Sequence, residues 1–359
     1  MRDDSESSHY FNLESTDPNL SAVSGKIHID DGDPGSNWSV AKSLGICSGN
    51  GTYSEPYLIE DLVIDGGGSE NCIFIENSEA FFKIKNCTVY NSTGDDRAGI
   101  RLLNAKNGIL INNNCSNNHD GIFLRYSQNI TISVNTANNN LEIGLYISYS
   151  PNNIVSENIA NNNSYDGILL HYSDNNSITG NTASFNDEYG IVINHCDNGT
   201  IKGNTVINNY RGIELYNSNN HTVSFNSANN NSYGINLYYS PGNIVSNNTL
   251  QKNVLGINID HTCENNIISG NALYECGISF LNPCWTFTAL TIDDTNTVNG
   301  RKVYFYKNRI NLRADSFTNA GQVILFNCSN SIISNLNTSY CTSGISLYYC
   351  ENNEILIND

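Results

Sequence analysis

Apolar positions in this chain repeat with a long and regular period. After each repeat begins, apolar and polar residues alternate, which predicts a short β-strand with one face turned inward. Asn, Asp and Gly residues typical of turns separate these strands. A glycine followed by an aliphatic residue opens each repeat and recurs every 21 to 23 residues, at Gly99, Gly121, Gly144, Gly167, Gly190, Gly212, Gly234, Gly256 and Gly277.

Aligned repeats place the apolar residues in three columns. The first contains Ile100, Ile122, Leu145, Ile168, Ile191, Ile213, Ile235 and Ile257; the second contains Leu102, Leu124, Ile147, Leu170, Ile193, Leu215, Leu237 and Ile259; the third contains Ile111, Ile132, Val155, Ile178, Ile201, Val223, Val245 and Ile268. One such repeat cannot bury its apolar face alone, so the coils must stack. The pattern predicts an all-β solenoid, a single-stranded parallel β-helix with 22–23 residues per coil and roughly 10–11 coils.

Asparagines form two further columns. The first contains Asn86, Asn114, Asn135, Asn158, Asn181, Asn204, Asn226, Asn248 and Asn271, and the second contains Asn140, Asn163, Asn186, Asn209, Asn231 and Asn253. Amides stacked at the strand spacing of about 4.8 Å can hydrogen-bond along the stack. Asparagine also tolerates the left-handed backbone of tight corners. We therefore interpret the asparagine excess as structural.

The positions at which the repeat begins, stops and resumes divide the chain into five parts. These are a disordered arm (1–26), a cap with the first strands (27–70), regular coils (71–281), an irregular insertion or hairpin (282–320) and resumed coils (321–359). Trp38 and Tyr53 are predicted to form the apolar plug of the cap. Asn299-Gly300 is a hairpin signal. The last coil stops part-way through a repeat, so we expect a segment of a longer protein whose signal peptide and further coils are missing.

The repeat G-I-x-L-x-x-S-x-x-x-x-I-x-x-N resembles that of the right-handed parallel β-helices of the pectate-lyase-like superfamily, in particular the NosD-type branch common in archaeal surface proteins. Residues 292–306, which read IDDTNTVNGRKVYFY, resemble a second segment of those proteins, with Lys302 where proline is usual. The resemblance covers roughly residues 46–359 and implies a right-handed helix. The name of the branch also implies copper, for which His171 and His195 are the candidate ligands.

Charge narrows the classes of partner. The formal net charge is −18, although only 14% of residues are charged. A nucleic-acid-binding protein would need a basic face, so nucleic acid is excluded as a partner. No apolar stretch reaches the 18 or more residues of a membrane span. An anionic polysaccharide would be repelled unless a local cation bridged it.

Cysteine spacing suggests disulfides between coils. Cys47 and Cys72 flank the first strands, and two further pairs, Cys87 with Cys115 and Cys328 with Cys350, are expected on neighbouring coils. Neighbouring coils bring Cα atoms within disulfide range. The alternative is that each position requires a small buried residue, which cysteine supplies as serine does elsewhere.

Aromatic and imidazole rings recur five residues after six of the nine glycines. With the residues beside them they form the candidate ligand-binding set Arg125, Tyr126, Tyr149, His171, Tyr172, His195 and Tyr239. Flat rings with polar rims suit the faces of sugars. The alternative is an aromatic stack whose role is packing.

Carboxylates precede several of the glycines. Asp120, Glu142 and Asp166, with His171 and His195, are the candidate metal ligands, and Ca²⁺ is the candidate ion for the carboxylates; no other cofactor is expected. The alternative is a solvated acidic ridge. The N-T-D and G-H-G blocks of the superfamily's glycosidases are absent from the sequence, so no catalytic residue is assigned.

The sequence therefore favours a secreted or cell-surface β-helix scaffold that binds glycans or has a structural role in the envelope, without catalysis. Its expected partners are a polysaccharide, a glycoconjugate or other envelope proteins. The alternative function is a carbohydrate-active enzyme, such as a polysaccharide lyase, hydrolase or epimerase, acting on the outward aromatic face.

Overall fold

The computed structural model describes residues 23–94, 96–282, 289–356 and 358. The described residues divide into two compact units between residues 177 and 178, called here unit 1 and unit 2. Most of the predicted disordered arm, residues 1–22, lies outside the described residues. The rest of the arm contains a two-residue strand, Val23–Ser24, which pairs in parallel with residues 63–64. The fold is a parallel β-solenoid of about 13 turns, more than the 10–11 predicted.

The first unit contains one short helix and a series of short strands. In chain order these are β1 (Val23–Ser24), β2 (Ile27–Asp30), α1 (Trp38–Ser43), β3 (Tyr57–Glu60), β4 (Val63–Asp65), β5 (Ile73–Glu76), β6 (Phe82–Lys85), β7 (Thr88–Tyr90), β8 (Ala98–Leu103), β9 (Gly108–Ile111), β10 (Asp120–Arg125), β11 (Thr131–Ser133), β12 (Leu145–Ser148), β13 (Ile154–Ser156), β14 (Ile168–His171) and β15 (Ser177–Thr179). Strands β2, β5, β8, β10, β12 and β14 stack in parallel along one face. Strands β3, β6, β9, β11 and β13 stack along a second face, and β1, β4 and β7 along a third.

The second unit repeats this arrangement. Its strands are β16 (Tyr189–Asn194), β17 (Thr200–Lys202), β18 (Thr205–Ile207), β19 (Arg211–Tyr216), β20 (Thr222–Ser224), β21 (Ser227–Asn229), β22 (Tyr233–Tyr238), β23 (Ile244–Ser246), β24 (Thr249–Gln251), β25 (Leu255–Asp260), β26 (Ile267–Ser269), β27 (Ala272–Tyr274), β28 (Ile278–Phe280), β29 (Thr291–Ile292), β30 (Thr297–Val298), β31 (Arg301–Lys307), β32 (Ala320–Phe326), β33 (Ile332–Ser334), β34 (Ile345–Tyr348) and β35 (Glu354–Leu356), with a 3-10 turn at Ala314–Phe317. Strands β16, β19, β22, β25 and β28 stack in parallel. Within the predicted insertion, β30 and β31 form an antiparallel pair around Asn299-Gly300, and β31 then pairs in parallel with β32.

Inward aliphatic side chains form the core of each unit, because alternate residues of a strand point to opposite faces. Ile122 and Leu124 are fully buried, as are Ile213 and Leu215. One member of the predicted third column is wrong. Leu110, not Ile111, is fully buried and pairs with Ile132.

The first asparagine column begins one residue away from its predicted position. The Asn113 side chain donates to Asn135 Oδ1 at 2.9 Å, and its own Oδ1 accepts from the Cys87 backbone N–H at 2.9 Å. Asn114 is therefore not a member of this column. Asn86 is not a member either, because it lies at an exposed corner with φ 55°. The column is a run of buried amides that hydrogen-bond from coil to coil, and we call it the asparagine ladder.

Asn204 shows what one amide of the asparagine ladder contributes. Its Nδ2 donates to Ile178 O and to Asn226 Oδ1, both at 3.0 Å. Its Oδ1 accepts from the backbone N–H and the side chain of Asn181, at 2.9 and 3.0 Å. All four bonds are buried.

We expect Asn204→Ala to lower the free energy of unfolding by roughly 1–3 kcal/mol, because buried polar groups on both sides lose their partners. Urea denaturation followed by circular dichroism measures the change. An unchanged unfolding midpoint would contradict a structural role for the asparagine ladder.

A cap covers the first strands of unit 1. Asn37 caps α1 by accepting from the Val40 N–H, and Trp38 is buried, with its indole N–H donating to Ser78 at 2.8 Å. Trp38 stacks on Tyr57 at 4.7 Å between ring centroids. Tyr53, predicted as the second half of the plug, is instead 84% exposed. In the described part of the chain, no helix is long and apolar enough to cross a bilayer.

Cysteines in the described residues are free thiols. They are Cys47, Cys72, Cys87, Cys115, Cys196, Cys263, Cys276, Cys328, Cys341 and Cys350. The three predicted disulfides are therefore not formed. Burial raises the pKa of Cys72 to about 12, so this thiol is a poor nucleophile and acts as a small apolar side chain.

Candidate functional site

Three tyrosines lie at one corner of successive coils in unit 1. Strands β10, β12 and β14 each end at this corner, and the next residues, Tyr126, Tyr149 and Tyr172, have φ values of 53°, 48° and 47°. The Tyr126 N–H donates to Ser148 O at 3.1 Å and the Tyr149 N–H to His171 O at 2.9 Å, which holds the corners in register. We call these three residues the tyrosine column.

The rings of the tyrosine column stack on one another. The ring centroids of Tyr126 and Tyr149 are 5.3 Å apart, and those of Tyr149 and Tyr172 are 5.1 Å apart with planes inclined by only 10°. The Arg125 guanidinium lies 5.3 Å from the Tyr126 centroid, and the His171 ring lies 4.4 Å from that of Tyr172. The structure thus brings five of the seven predicted ligand-binding residues into one cluster.

The other two predicted ligand-binding residues, His195 and Tyr239, lie in unit 2. His195 Nδ1 is 2.6 Å from the Asn194 side-chain oxygen. Tyr239 contacts the ring of His261, with centroids 4.4 Å apart. Asn217 occupies the corner between them along the chain, so the aromatic run of unit 2 is interrupted.

The predicted metal ligands do not form one line. Asp120 Oδ1 accepts from the backbone N–H of Ile143 at 3.0 Å, so Ile143 rather than Glu142 is its counterpart on the next coil. Asp166 is buried two coils beyond Asp120. His171 lies beside Tyr172 of the tyrosine column, and His195 lies in unit 2.

A different group of ligating side chains does come together. His119 Nδ1 lies 4.0 Å from Asp120 Oδ2, and His119 Nε2 lies 3.7 Å from Glu142 Oε1. Burial raises the pKa of Asp120 to about 7, against the lowering effect of the Ile143 N–H. We call these three residues the histidine–carboxylate cluster. Sequence reasoning missed His119, although it directly precedes Asp120 and lies 23 residues before Glu142, one coil away.

Beside the histidine–carboxylate cluster, a stack of flat side chains lies on the outward face of the sheet that contains β5, β8, β10 and β12. The Arg101 guanidinium lies between Phe74 and Phe123, 5.2 and 5.5 Å from their ring centroids. The Tyr146 ring continues the stack, parallel to Phe123 at 4.6 Å. Four adjacent strands thus carry one continuous stack of aromatic and guanidinium groups, in which Arg101 and Phe123 are buried.

Unit 2 has a buried polar row on the corresponding face. Glu214 accepts from the Arg211 guanidinium at 2.9 Å and from Asn236 Nδ2 at 2.8 and 3.0 Å. Asn258 donates to Asn236 at 2.7 Å, and Ser279 donates to Asn258 at 3.0 Å. We call Glu214, Asn236, Asn258 and Ser279 the polar row.

Tyrosine rings surround the charged end of the polar row. The Arg211 guanidinium lies 5.0 to 5.5 Å from the ring centroids of Tyr189, Tyr210 and Tyr233. Burial raises the pKa of Glu214 to about 7, although Arg211 and Asn236 lower it. The outward parity of Glu214 predicts exposure, yet only 2% of the residue is exposed.

Two family models match the chain. Residues 47–216 match the family described as periplasmic copper-binding protein (NosD), and residues 166–302 match the family described as right handed beta helix region. Among curated proteins, none matches the sequence.

The described residues do not bring together the ligands that copper(I) prefers. In the described residues, the histidine–carboxylate cluster is the group of three His, Cys, Asp or Glu side chains whose ligand atoms lie close enough to share a metal ion. One imidazole and two carboxylates do not fit Cu(I), which prefers thiolate and thioether ligands. The predicted copper ligands His171 and His195 are not members of this group.

Solved structures with a similar fold include two alginate or mannuronan epimerases and a bacteriophage tailspike. The A-module of the Azotobacter vinelandii mannuronan C-5 epimerase AlgE6 is 12% identical, with 84% of this chain and 88% of that chain covered and a TM-score of 0.43. The periplasmic alginate epimerase AlgG is 15% identical, with coverages of 84% and 76% and a TM-score of 0.41. A mutant tailspike protein of E. coli bacteriophage HK620, in complex with a hexasaccharide, is 11% identical, with coverages of 92% and 78% and a TM-score of 0.49.

Similarities of this degree say nothing about the substrate of the present chain. The parallel coils of the structure extend through both matched regions. The chain is a right-handed parallel β-helix protein, and its residues 47–216 are similar to the NosD family.

Proposed function

We propose that the protein is a non-catalytic scaffold that binds an extended saccharide along the tyrosine column. The observation that carries this proposal is the exposure of three stacked phenol rings on consecutive coils. Tyr126, Tyr149 and Tyr172 are 49%, 42% and 44% exposed. A row of hydroxyl groups at coil spacing offers repeated hydrogen-bonding partners to a polymer laid along it.

Backbone strain supports a role for these rings at the surface. Asn77 and Asn104 occupy the same corner in the two preceding coils, with φ values of 54° and 49°. Asparagine tolerates this conformation, whereas for other residues it costs about 1–2 kcal/mol. Tyrosines at such strained positions point to a function of the ring, although each stacked pair also recovers about 0.5–1.5 kcal/mol.

Ring orientation decides how a saccharide would be held. Because the rings of Tyr149 and Tyr172 are nearly parallel, their faces are turned toward each other, which leaves the ring edges to contact a ligand. Sugar hydroxyls would therefore hydrogen-bond to the phenol oxygens, with Arg125 and His171 beside the rings as further donors. The stacking of sugar faces on the rings, which the sequence analysis expected, is less favoured by this geometry.

The proposed location is outside the cytoplasm, in the periplasm or at the cell surface. The family model that matches residues 47–216 is described as periplasmic, and surface glycans are found in those places. Other envelope proteins are the alternative partners if no saccharide binds.

A carbohydrate-active enzyme is the second candidate function, since acid–base groups lie on the same coil as the rings. Asp120 begins strand β10 and Arg125 ends it. Five residues of extended strand span about 17 Å, which is too far for Asp120 to act on a bond held at the tyrosine column. The distance favours binding without turnover.

The test compares two double variants. Tyr149→Phe with Tyr172→Phe keeps the ring stack and removes two hydroxyl groups, so we expect the unfolding midpoint to be unchanged and retention on a glycan array to fall at least tenfold. Tyr149→Ala with Tyr172→Ala should also lose retention. The array carries neutral and acidic oligosaccharides and is probed with and without Ca²⁺.

Other results would contradict this proposal in distinguishable ways. Full retention by the Phe pair and loss by the Ala pair would show that the ring surfaces bind, not the hydroxyls. If both pairs behave as the wild type, the tyrosine column only packs and the envelope-scaffold role gains support. New reducing ends or unsaturated products from the wild-type protein would show that it is an enzyme.

A further inference from the structure

The histidine–carboxylate cluster joins two coils of unit 1. His119 and Asp120 are consecutive residues at the start of β10, and Glu142 lies just before β12 on the next coil. We propose that His119, Asp120 and Glu142 bind one divalent cation of the zinc class, with at least one coordination position open to solvent. This site is independent of the saccharide contacts proposed above.

The three ligand atoms are already close to one another. One nitrogen of His119 and one carboxylate oxygen from each of Asp120 and Glu142 all lie within 4.8 Å of one another. Asp120 is oriented by the next coil, because its Oδ1 accepts from the Ile143 N–H. Its Oδ2 is then directed at His119. Small rotations would bring the ligands to the distances of about 2.0–2.2 Å that Zn²⁺ requires.

A second observation points to a missing partner. His119 Nδ1 is buried and has no hydrogen-bond partner. A buried polar atom left in this way costs about 1–3 kcal/mol. The neighbouring Asp120 side chain is only 5% exposed. A cation between the two would satisfy the nitrogen and neutralise the buried carboxylate at once.

The types of ligand select the metal. Ca²⁺ takes oxygen ligands almost exclusively, so an imidazole argues against it. Imidazole and carboxylate together suit Zn²⁺, for which Co²⁺ is a spectroscopic substitute. The Glu142 side chain is 46% exposed, so the outer side of the site faces solvent. Three protein ligands and an open side are typical of a metal that binds a further group.

Titration of the full chain with Zn²⁺ and with Co²⁺ tests the proposal. We expect one Zn²⁺ per chain by calorimetry, and visible Co²⁺ absorption bands that Zn²⁺ abolishes. Glu142→Gln and His119→Ala should each weaken binding at least tenfold. His28→Ala, at a histidine that contacts Glu76 and belongs to neither proposed site, is the matched control and should bind as the wild type does.

Glu142 is partly exposed, so Glu142→Gln should fold even where His119→Ala does not. Unaltered Zn²⁺ affinity in folded Glu142→Gln would overturn the proposal, as would wild-type protein that binds no Zn²⁺. Displacement of Zn²⁺ by an equal concentration of Ca²⁺, or a thiolate-to-Co²⁺ absorption band, would show that other ligands hold the ion.

Discussion

Gly234→Ala is expected to lower the free energy of unfolding by about 3 kcal/mol or more, at the upper end of the range for overpacking. A Cβ at this position would lie 2.6 Å from the carbonyl oxygen of Gly256 and 2.6 Å from Leu250 Cδ2. One of these contacts is with backbone, so no side-chain rotation relieves it. Urea denaturation of both proteins measures the difference.

The same close contact recurs at the glycines of other repeats, which is why the effect should be large. A Cβ on Gly121 would lie 2.5 Å from Gly144 O, and one on Gly212 would lie 2.6 Å from Gly234 O. The glycines thus lie where the backbones of successive coils leave no room for a Cβ, so a shift at one coil is passed to the next.

Gly35→Ala is the control for this prediction. Gly35 is exposed, and its nearest neighbour to an added Cβ is Asp33 Oδ1 at 3.5 Å, an ordinary contact. Its effect should stay within about 0.5 kcal/mol. Equal stability of the Gly234 and Gly35 variants would show that the coils separate readily and that the repeated glycine has another cause.

The coil could be predicted because each repeat of the sequence forms one turn of the solenoid. Residues one repeat apart in sequence therefore lie side by side in the structure. Inward residues such as Ile122 and Leu145 pair directly across adjacent strands. The predicted columns were wrong by one residue where a coil has one residue more before its corner than the next coil has. Strand β9 has four residues where β11 has three. Because a strand alternates faces, a shift of one residue places Leu110 inside and Ile111 outside.

Functional side chains were harder to predict for a different reason. Spacing alone placed Tyr126, Tyr149 and Tyr172 together, but it did not indicate their left-handed backbone. Burial on the outward face depends on side chains from neighbouring coils. The polar row is an example, since Asn258 lies on the outward face and is still fully buried. The sequence repeat does not indicate which outward side chains the neighbouring coils bury.

Ionisation of Glu214 should make stability depend on pH. Burial raises its pKa in the folded protein from 4.5 to about 7. Arg211 and Asn236 lower this pKa and Asp260 raises it, and burial is the largest of these effects. The folded state therefore keeps a proton that the unfolded state has already released between about pH 4.5 and 7.

The sign of the effect follows from which state holds the proton. Stability from this group is fully present below about pH 4.5 and is lost as the pH rises through about 7. A difference of about 2.5 pH units corresponds to about 3 kcal/mol. Above about pH 7 the Glu214 carboxylate is ionised and buried, and Arg211 offsets only part of the cost of burying that charge.

Glu214→Gln removes this titration and keeps the shape of the side chain. We expect the wild type to lose about 3 kcal/mol more than the variant between pH 4.5 and pH 8 in urea denaturation. Glu275→Gln, at an exposed position, is the control and should follow the wild type. If the Glu214 variant also follows the wild type, Arg211 and Asn236 hold the carboxylate ionised throughout, and hydrogen bonding outweighs burial at the polar row.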